Sequence, residues 1–322
     1  MLNDAGADTK KYTLGKPSMR HMRIWTYVDL AARHGSLRRA AEELNITPSA
    51  LQRRIQDVEE DLGAAIFERS AQGVRLTAAG ETFIRWIRQQ SVDLDRTRSQ
   101  IESLGGLRRG HIRIACSQAL VNYFLPQEIA AFRTSYPHVS FAISVVDHDA
   151  ALKMLVDYEA EIALIFRPRR SAELQPIVTL GQRLHAIMAA DHPLAARPTL
   201  RLRDCAPYPI AIADRSFGSR RIVDEILSTS SFSLSIEFES DSFEMLRNLA
   251  RSGQVITFQI EIGSEVSWLE PGLVSIPVAD ADPTHGPLVL GQLRGRTLPV
   301  AAAKFIEQVA RRLDASRQLP QD

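Results

Sequence analysis

Ser49, Gln52, Arg53 and Gln56 recur at spacings that place them on one face of a helix. Their side chains suit the edges of base pairs: Arg matches guanine, Gln matches adenine, and Ser is permissive. Leu51, Ile55, Val58 and Leu62 fall on the opposite face, so the helix has an apolar side to bury and a polar side to present. Arg53 and Arg54 lie in its first half, while Asp57, Glu59, Glu60 and Asp61 fill the second. That order opposes the helix dipole at about 0.3–1 kcal/mol per charge, which suggests that the first half faces something anionic. The same pattern would also suit a solvated helix of an ordinary bundle, and the charge order favours DNA.

The elements around this stripe must hold it in place. Thr47 is a good N-cap and Pro48 is tolerated at the first helical position. Upstream, Ser36 caps a shorter helix carrying Leu37, Ala40, Ala41 and Leu44, and Asn45-Ile46 interrupts the pattern. Two such helices joined by a tight turn form a helix-turn-helix, whose second helix enters the major groove. A first helix from Arg20 to His34, with Trp25, Val28 and Ala32 at helical spacing, completes a three-helix core. Beyond Gly63, two short extended pieces around Gly73 make a wing, with Arg69 and Arg75 flanking its tip and able to reach phosphate or the minor groove. The DNA-facing set is therefore Ser36, Thr47, Pro48, Ser49, Gln52, Arg53, Arg54, Gln56, Arg69 and Arg75.

Composition limits the alternatives. A chain of 322 residues with 45% hydrophobic content is long enough for two domains with sizeable cores. Its formal net charge of +1 excludes a bulk polycation, so nucleic-acid binding must come from a local patch. No apolar run approaches the roughly 18 residues of a membrane span. The opening stretch lacks the apolar core of a signal peptide and is read as a polar, disordered extension, so the expected location is the cytoplasm. Cys116 and Cys205 are far apart and fit reduced thiols, not a disulfide framework. No His/Cys cluster has metal-ligand spacing, and neither a cofactor nor a metal is expected.

The string Gly35-Ser36-Leu37, Ala40-Ala41, Leu44, Thr47-Pro48-Ser49-Ala50-Leu51, Ile55, Glu59, Leu62-Gly63, Phe67, Arg69, Leu76-Thr77 and Gly80 resembles the signature of the LysR-type transcriptional regulators. The resemblance extends from about Arg20 to Leu313. Gln52 stands where the family usually has serine, so base preference does not transfer there. Thr77 caps a long helix from Ala78 to about Leu104, in which Ile87, Leu94 and Ile101 are seven apart and argue for pairing between subunits. The resemblance implies that this helix pairs two winged domains, and hence a homodimer or homotetramer on an inverted-repeat double-stranded DNA operator. RNA polymerase is a further candidate partner. Gly105-Gly106 and Gly110 mark a hinge.

The remainder alternates strand and helix: strands at 111–116, 139–145, 161–166, 183–190, 208–213, 233–238 and 254–260, and a closing helix from Thr297 to Leu313. This predicts parallel sheets with covered faces, in two α/β halves with a ligand cleft between them. The resemblance implies a two-lobed, periplasmic-binding-protein-like effector domain, and Asp191-His192-Pro193-Leu194-Ala195 is similar to a recurrent family motif. Two departures stand out: Ala160-Glu161 replaces the usual start of the third strand, and Gly253 to Ile260 lacks a customary glycine and proline. The fold class is thus α/β with an N-terminal winged helix-turn-helix. The expected divisions are an extension (1–19), a DNA-binding domain (20–77), a linker helix (78–104), a hinge (105–110), an effector-binding domain (111–313) and a tail (314–322).

Strand ends that feed helix N-termini collect anions. Ser117 and Gln118 follow the first strand, Asp147 and His148 the second, and Arg167 the third; Ser216 ends a strand in the other half, where Gln259 also faces the cleft. Asp241-Ser242-Phe243-Glu244 fits a capping box, and Asp147, Ser216 and Asp241 also fit plain helix caps. The set predicts a small organic anion as effector. An enzyme using Asp147 and His148 as an acid/base pair is disfavoured, because no nucleophile motif accompanies them. A solute-binding protein would need export and has no use for a helix-turn-helix.

Overall fold

The computed structural model describes residues 22–70, 73–103, 109–166, 168, 171–215, 217–253, 255–264, 271–281 and 286–318. The expected extension, the hinge glycines Gly105-Gly106, and the candidate residues Arg167 and Ser216 lie outside them. The chain divides into two compact units at Ser91/Val92.

In the first unit, helices α1 (Met22–His34), α2 (Leu37–Glu43) and α3 (Pro48–Leu62) precede a hairpin of β1 (Phe67–Ser70) and β2 (Gly73–Leu76), then α4 (Ala78–Ser103). The caps are those the sequence indicates. Ser36 Oγ accepts from Arg39 N, and Thr47 Oγ1 accepts from Ala50 N at 3.2 Å with Pro48 in the first turn. Gly63 ends α3 in the left-handed conformation, φ 69°, where a side chain would be strained. Tyr27, Val28, Ala41, Leu51, Ile55 and Ile66 form the core, joined by Ile84 and Ile87 from α4. The expected pairing seam is therefore corrected at Ile87. Its side chain is buried in its own winged domain, because the first turns of α4 serve as that domain's fourth helix. The exposed apolar side chains of α4 are Trp86 and Ile101.

The second unit holds two five-stranded sheets. Lobe I contains β3 (Gly110–Cys116), α5 (Phe124–Ser135), β4 (Val139–Val145), α6 (His148–Val156), β5 (Ile162–Phe166) and β6 (Leu174–Leu180). Lobe II contains β7 (Leu184–Ala189), β8 (Pro209–Ala213), α7 (Gly218–Ser228), β9 (Ser235–Ser240), α8 (Phe243–Ser252), β10 (Ile256–Ile260) and β11 (Leu273–Pro277). The chain then returns to lobe I as β12 (Leu288–Leu293) and α9 (Val300–Gln318). Strand orders are β4-β3-β5-β12-β6 and β11-β7-β10-β8-β9.

Neither sheet is purely parallel, contrary to expectation. β3, β4 and β5 run parallel, but β12 is antiparallel to both β5 and β6. β8, β9 and β10 run parallel, but β7 is antiparallel to β10 and β11. Two crossings between the lobes reverse the direction of the strands they deliver. Nor are all faces covered: the edge strands β4 and β9 leave Ile143, Val145, Ile236 and Phe238 exposed. At the first crossing, Glu261 N donates to Arg183 O at 2.8 Å, extending the β7–β10 ladder of lobe II, and Ile262 N donates to the buried Gln182 Oε1 at 2.9 Å, which ties the crossing segment to lobe II.

Candidate DNA interface and effector cleft

On α3, Leu51 and Ile55 are buried, while Thr47, Pro48, Ser49, Arg53 and Gln56 are exposed and Gln52 half-buried. The apolar face thus docks on the core and the polar row stands outward, as a reading helix requires. Leu62 departs from the pattern and is exposed at the last turn. Arg54 is committed within the domain: Nη1 donates to Tyr27 Oη at 2.8 Å, and the guanidinium lies 4.9 Å from that ring's centre. Ser36 is half-buried and acts as a cap. In the wing, Arg69 pairs with Val74 and Glu68 with Arg75 across the hairpin. Paired residues share a face, so Arg69 and Arg75 point to opposite sides and do not act together. Arg75 has a carboxylate as its cross-strand neighbour.

Between the lobes lies a cleft of about 310 Å³, at the small end of the ligand-pocket range. Ser117, Gln118, Asp147 and His148 reach it from lobe I, and Gly218, Ser219, Asp241 and Phe243 from lobe II. Three helices start on it. Asp147 caps α6, accepting from Ala150 N at 2.7 Å. Ser242, not Asp241, caps α8 by accepting from Met245 N, so the expected capping box Asp241–Glu244 does not form, position N3 being Met245, and Asp241 lines the cleft instead. Phe217, at the N-cap of α7, supplies no side-chain acceptor, and Gly218 and Ser219 of the first turn line the cleft. Gln118 Oε1 accepts from Phe243 N at 3.2 Å, a bond that crosses the cleft. Ser117 Oγ accepts from Phe166 N.

Family models match both parts of the chain. Residues 22–81 match the bacterial regulatory helix-turn-helix protein of the lysR family, and residues 105–314 match the LysR substrate binding domain. The chain belongs to the LysR-type transcriptional regulators. These are DNA-binding regulators with an effector-binding domain, and not enzymes. The RuBisCO operon transcriptional regulator of Allochromatium vinosum is 27% identical, over 91% of this chain and 95% of that protein. The regulator CbbR of Sinorhizobium medicae is 31% identical, over 75% and 76%. Among solved structures, a full-length OxyR variant from Pseudomonas aeruginosa shares the fold at TM-score 0.65 and 20% identity, covering 91% and 94%. Full-length CbnR complexed with its target DNA does so at 0.53 and 19%, covering 91% and 99%. No helix among the described residues is long and apolar enough to cross a membrane.

One expected effector contact of this LysR-type chain is turned elsewhere. Gln259 is 1% exposed and accepts from Arg247 Nη1 at 3.0 Å, inside lobe II. Residues on a strand alternate between faces, and Ile260 takes the cleft side. Arg247 also donates to Gly263 O at 3.2 Å and lies 5.5 Å from the Tyr123 ring centre, so Gln259 braces the lobe junction. The departure at Glu161 has a structural reason. Its buried carboxylate accepts from Arg113 N at 2.7 Å, from the Arg113 side chain and from Arg296 Nη2 at 3.1 Å. Sequence reasoning missed Ser219, whose position one residue inside an uncapped helix was the available signal.

Proposed function

We propose that this LysR-type regulator acts in the cytoplasm as a homodimer or homotetramer, reads an inverted-repeat operator and changes its grip on DNA when a small organic anion occupies the cleft. RNA polymerase is the further partner such a regulator would meet. The observation that carries the reading is the outward row Ser49, Gln52, Arg53 and Gln56 on a helix capped by Thr47 and anchored through Leu51 and Ile55. Gln52 and Arg53 contact bases, while Thr47, Pro48, Ser36, Gln56, Arg54 and, on the wing, Arg69 line or brace the phosphate-facing surface, with Arg75 on the wing's other side. The likeness in fold to CbnR, solved with its target DNA, supports the DNA-binding reading. Exposed Trp86 and Ile101 on α4 and the apolar edges of β4 and β9 support self-association. In the cleft, Ser117, Gln118, His148 and Asp147 from lobe I face the start of α7; Arg167 and Ser216, outside the described residues, are further candidates from the sequence. Helix N-termini favour an anion there.

The test is a mobility shift with the DNA beside the regulator's own gene, followed by binding-site selection. Arg53→Ala is expected to change the selected motif, at about 1–3 kcal/mol for the base it contacts. Arg69→Ala is expected to weaken all sequences alike and lower the salt slope by about one. Recovery of the wild-type motif at wild-type affinity with Arg53→Ala would remove α3 as the reader.

A further inference from the structure

We infer that Tyr27 is a positioning residue for DNA binding, holding Arg54 in place as a preset contact to the phosphate backbone; this rests on the reading of α3 as the helix that enters the major groove. Arg53 and Arg54 line one groove on the outer side of α3, together with Thr47, Ser49 and Asp57. Neighbours on a helix point about 100° apart, so the two arginines can divide the work. Arg53 is exposed and has no hydrogen-bond partner among the described residues. Arg54 is exposed as well, but it is held. Its Nη1 donates to Tyr27 Oη at 2.8 Å, and its guanidinium carbon lies 4.9 Å from that ring's centre.

Tyr27 can hold an arginine still because it is itself fixed. It is 4% exposed and packs in the core that Leu51 and Ile55 of α3 enter. The far end of the Arg54 side chain is thus tied to the same core that anchors its helix. A guanidinium carries five N–H donors, and this contact uses one of them. Asp57, one turn on in the same groove, makes no ion pair with Arg54 among the described residues. An arginine that served only to brace the fold would gain by pairing with that carboxylate or by burial, and this one does neither. A phosphate supplies acceptors for the remaining donors, and arginine meets it through parallel bonds. Ordering the side chain before DNA arrives removes the cost of ordering it on binding. A held guanidinium suits the backbone, which repeats along any sequence, whereas the free Arg53 can turn to the base edge it meets.

Fluorescence-anisotropy titrations of the full-length chain across a salt series test this, on a duplex from binding-site selection and on a scrambled duplex of equal length. All variants are compared below the melting transition of the least stable. Arg54→Ala is expected to weaken both duplexes about tenfold and to lower the salt slope by about one, while the selected motif stays that of the wild type. Arg54→Lys keeps the charge without the fork and is expected to restore the slope but only part of the affinity. Tyr27→Phe keeps the ring in the core and removes the hydroxyl. It is expected to weaken both duplexes about threefold at an unchanged slope, and to cost nothing further in the Arg54→Ala background. An unchanged salt slope in Arg54→Ala, or a changed motif, overturns the phosphate contact. Wild-type affinity in Tyr27→Phe, or an equal loss in the Arg54→Ala background, overturns the role of Tyr27. Either result leaves the reading of α3 standing as long as Arg53→Ala changes the motif. If Arg53→Ala does not, that reading falls, and the scrambled duplex still decides whether Arg54 grips phosphate.

Discussion

Glu59 sits in the acidic half of α3, where a carboxylate opposes the helix dipole, and its contacts give the reason. Oε1 accepts from Ile66 N at 2.7 Å and Phe67 N at 3.1 Å, so it replaces the partners that the chain entering β1 would otherwise lack. Glu59→Ala is expected to cost the winged domain about 1–3 kcal/mol in urea denaturation, the penalty for stranded N–H groups. Glu59→Gln keeps an acceptor and should cost less; equal losses would count against the hydrogen-bond account. His185 on β7 shares a hydrogen bond with Ser275 Oγ at 3.0 Å. Burial lowers its pKa below the usual 6.5, Arg183 adds to this, and Glu261 opposes it. Between the folded and unfolded values the unfolded chain binds more protons, so this contribution is complete above about pH 6.5 and is lost as pH falls below it. Urea melts at pH 5.5 and 7.5 should show less of this slope in His185→Gln. The thiols of Cys116 and Cys205 are buried, and burial pushes each up to about 12. The thiolate is the reactive form, so a thiol reagent should label neither in the native chain, and DNA binding should ignore mild peroxide. One fast-reacting thiol before unfolding would contradict this.

At the start of α7 the constraint is close approach. A Cβ on Gly218 would lie 1.8 Å from Phe166 Cδ1, and one on Gly286 2.5 Å from Phe166 Cζ. Phe166 comes from lobe I, yet it packs in the core cluster of lobe II. Gly218→Ala is therefore expected to destabilise the second unit by about 1–3 kcal/mol in denaturant melts, as overpacking does. Phe166→Ala in the same chain should recover part of that loss; a purely additive double mutant would mean that the two do not meet. This contact was not legible in the sequence, because it joins residues that only the two lobe crossings bring together. The helix-turn-helix was legible, since Ser36, Thr47, Pro48 and Gly63 are local signals that act within one turn. β6 was not, because Pro176 interrupts it; it lies at the sheet edge, where a proline is tolerated, and its partner β12 shifts register at Gly291. The strand at Gln259 was legible but its facing was not, since the buried Arg247 that claims the amide lies on a separate helix.

At the scale of the whole molecule, two winged domains must be held together for an inverted repeat to be read, and the effector domain offers surfaces suited to that. Ile143 and Val145 on β4 are 42% and 48% exposed; Ile236 and Phe238 on β9 are 41% and 39%. Ile143 and Val145 are two apart on the regular β4 and project from the same face, whereas a bulge in β9 pairs Ile236 and Phe238 with the adjacent Ile210 and Ala211, so those two project from different faces of their edge strand. Apolar side chains grouped along an edge mark association surfaces more often than scattered ones do. Ile143→Glu and Phe238→Glu would each place a charge in that contact without touching either lobe's core or the cleft. Each is expected to shift the full-length chain to a smaller species in sedimentation velocity. Joining two DNA-binding heads raises avidity by about 10²–10⁴, so affinity for the inverted repeat should fall by roughly 10²-fold while affinity for a single half-site holds. A variant that sediments as the wild type does would move the contact to another surface, α4 with its exposed Trp86 being the next to test.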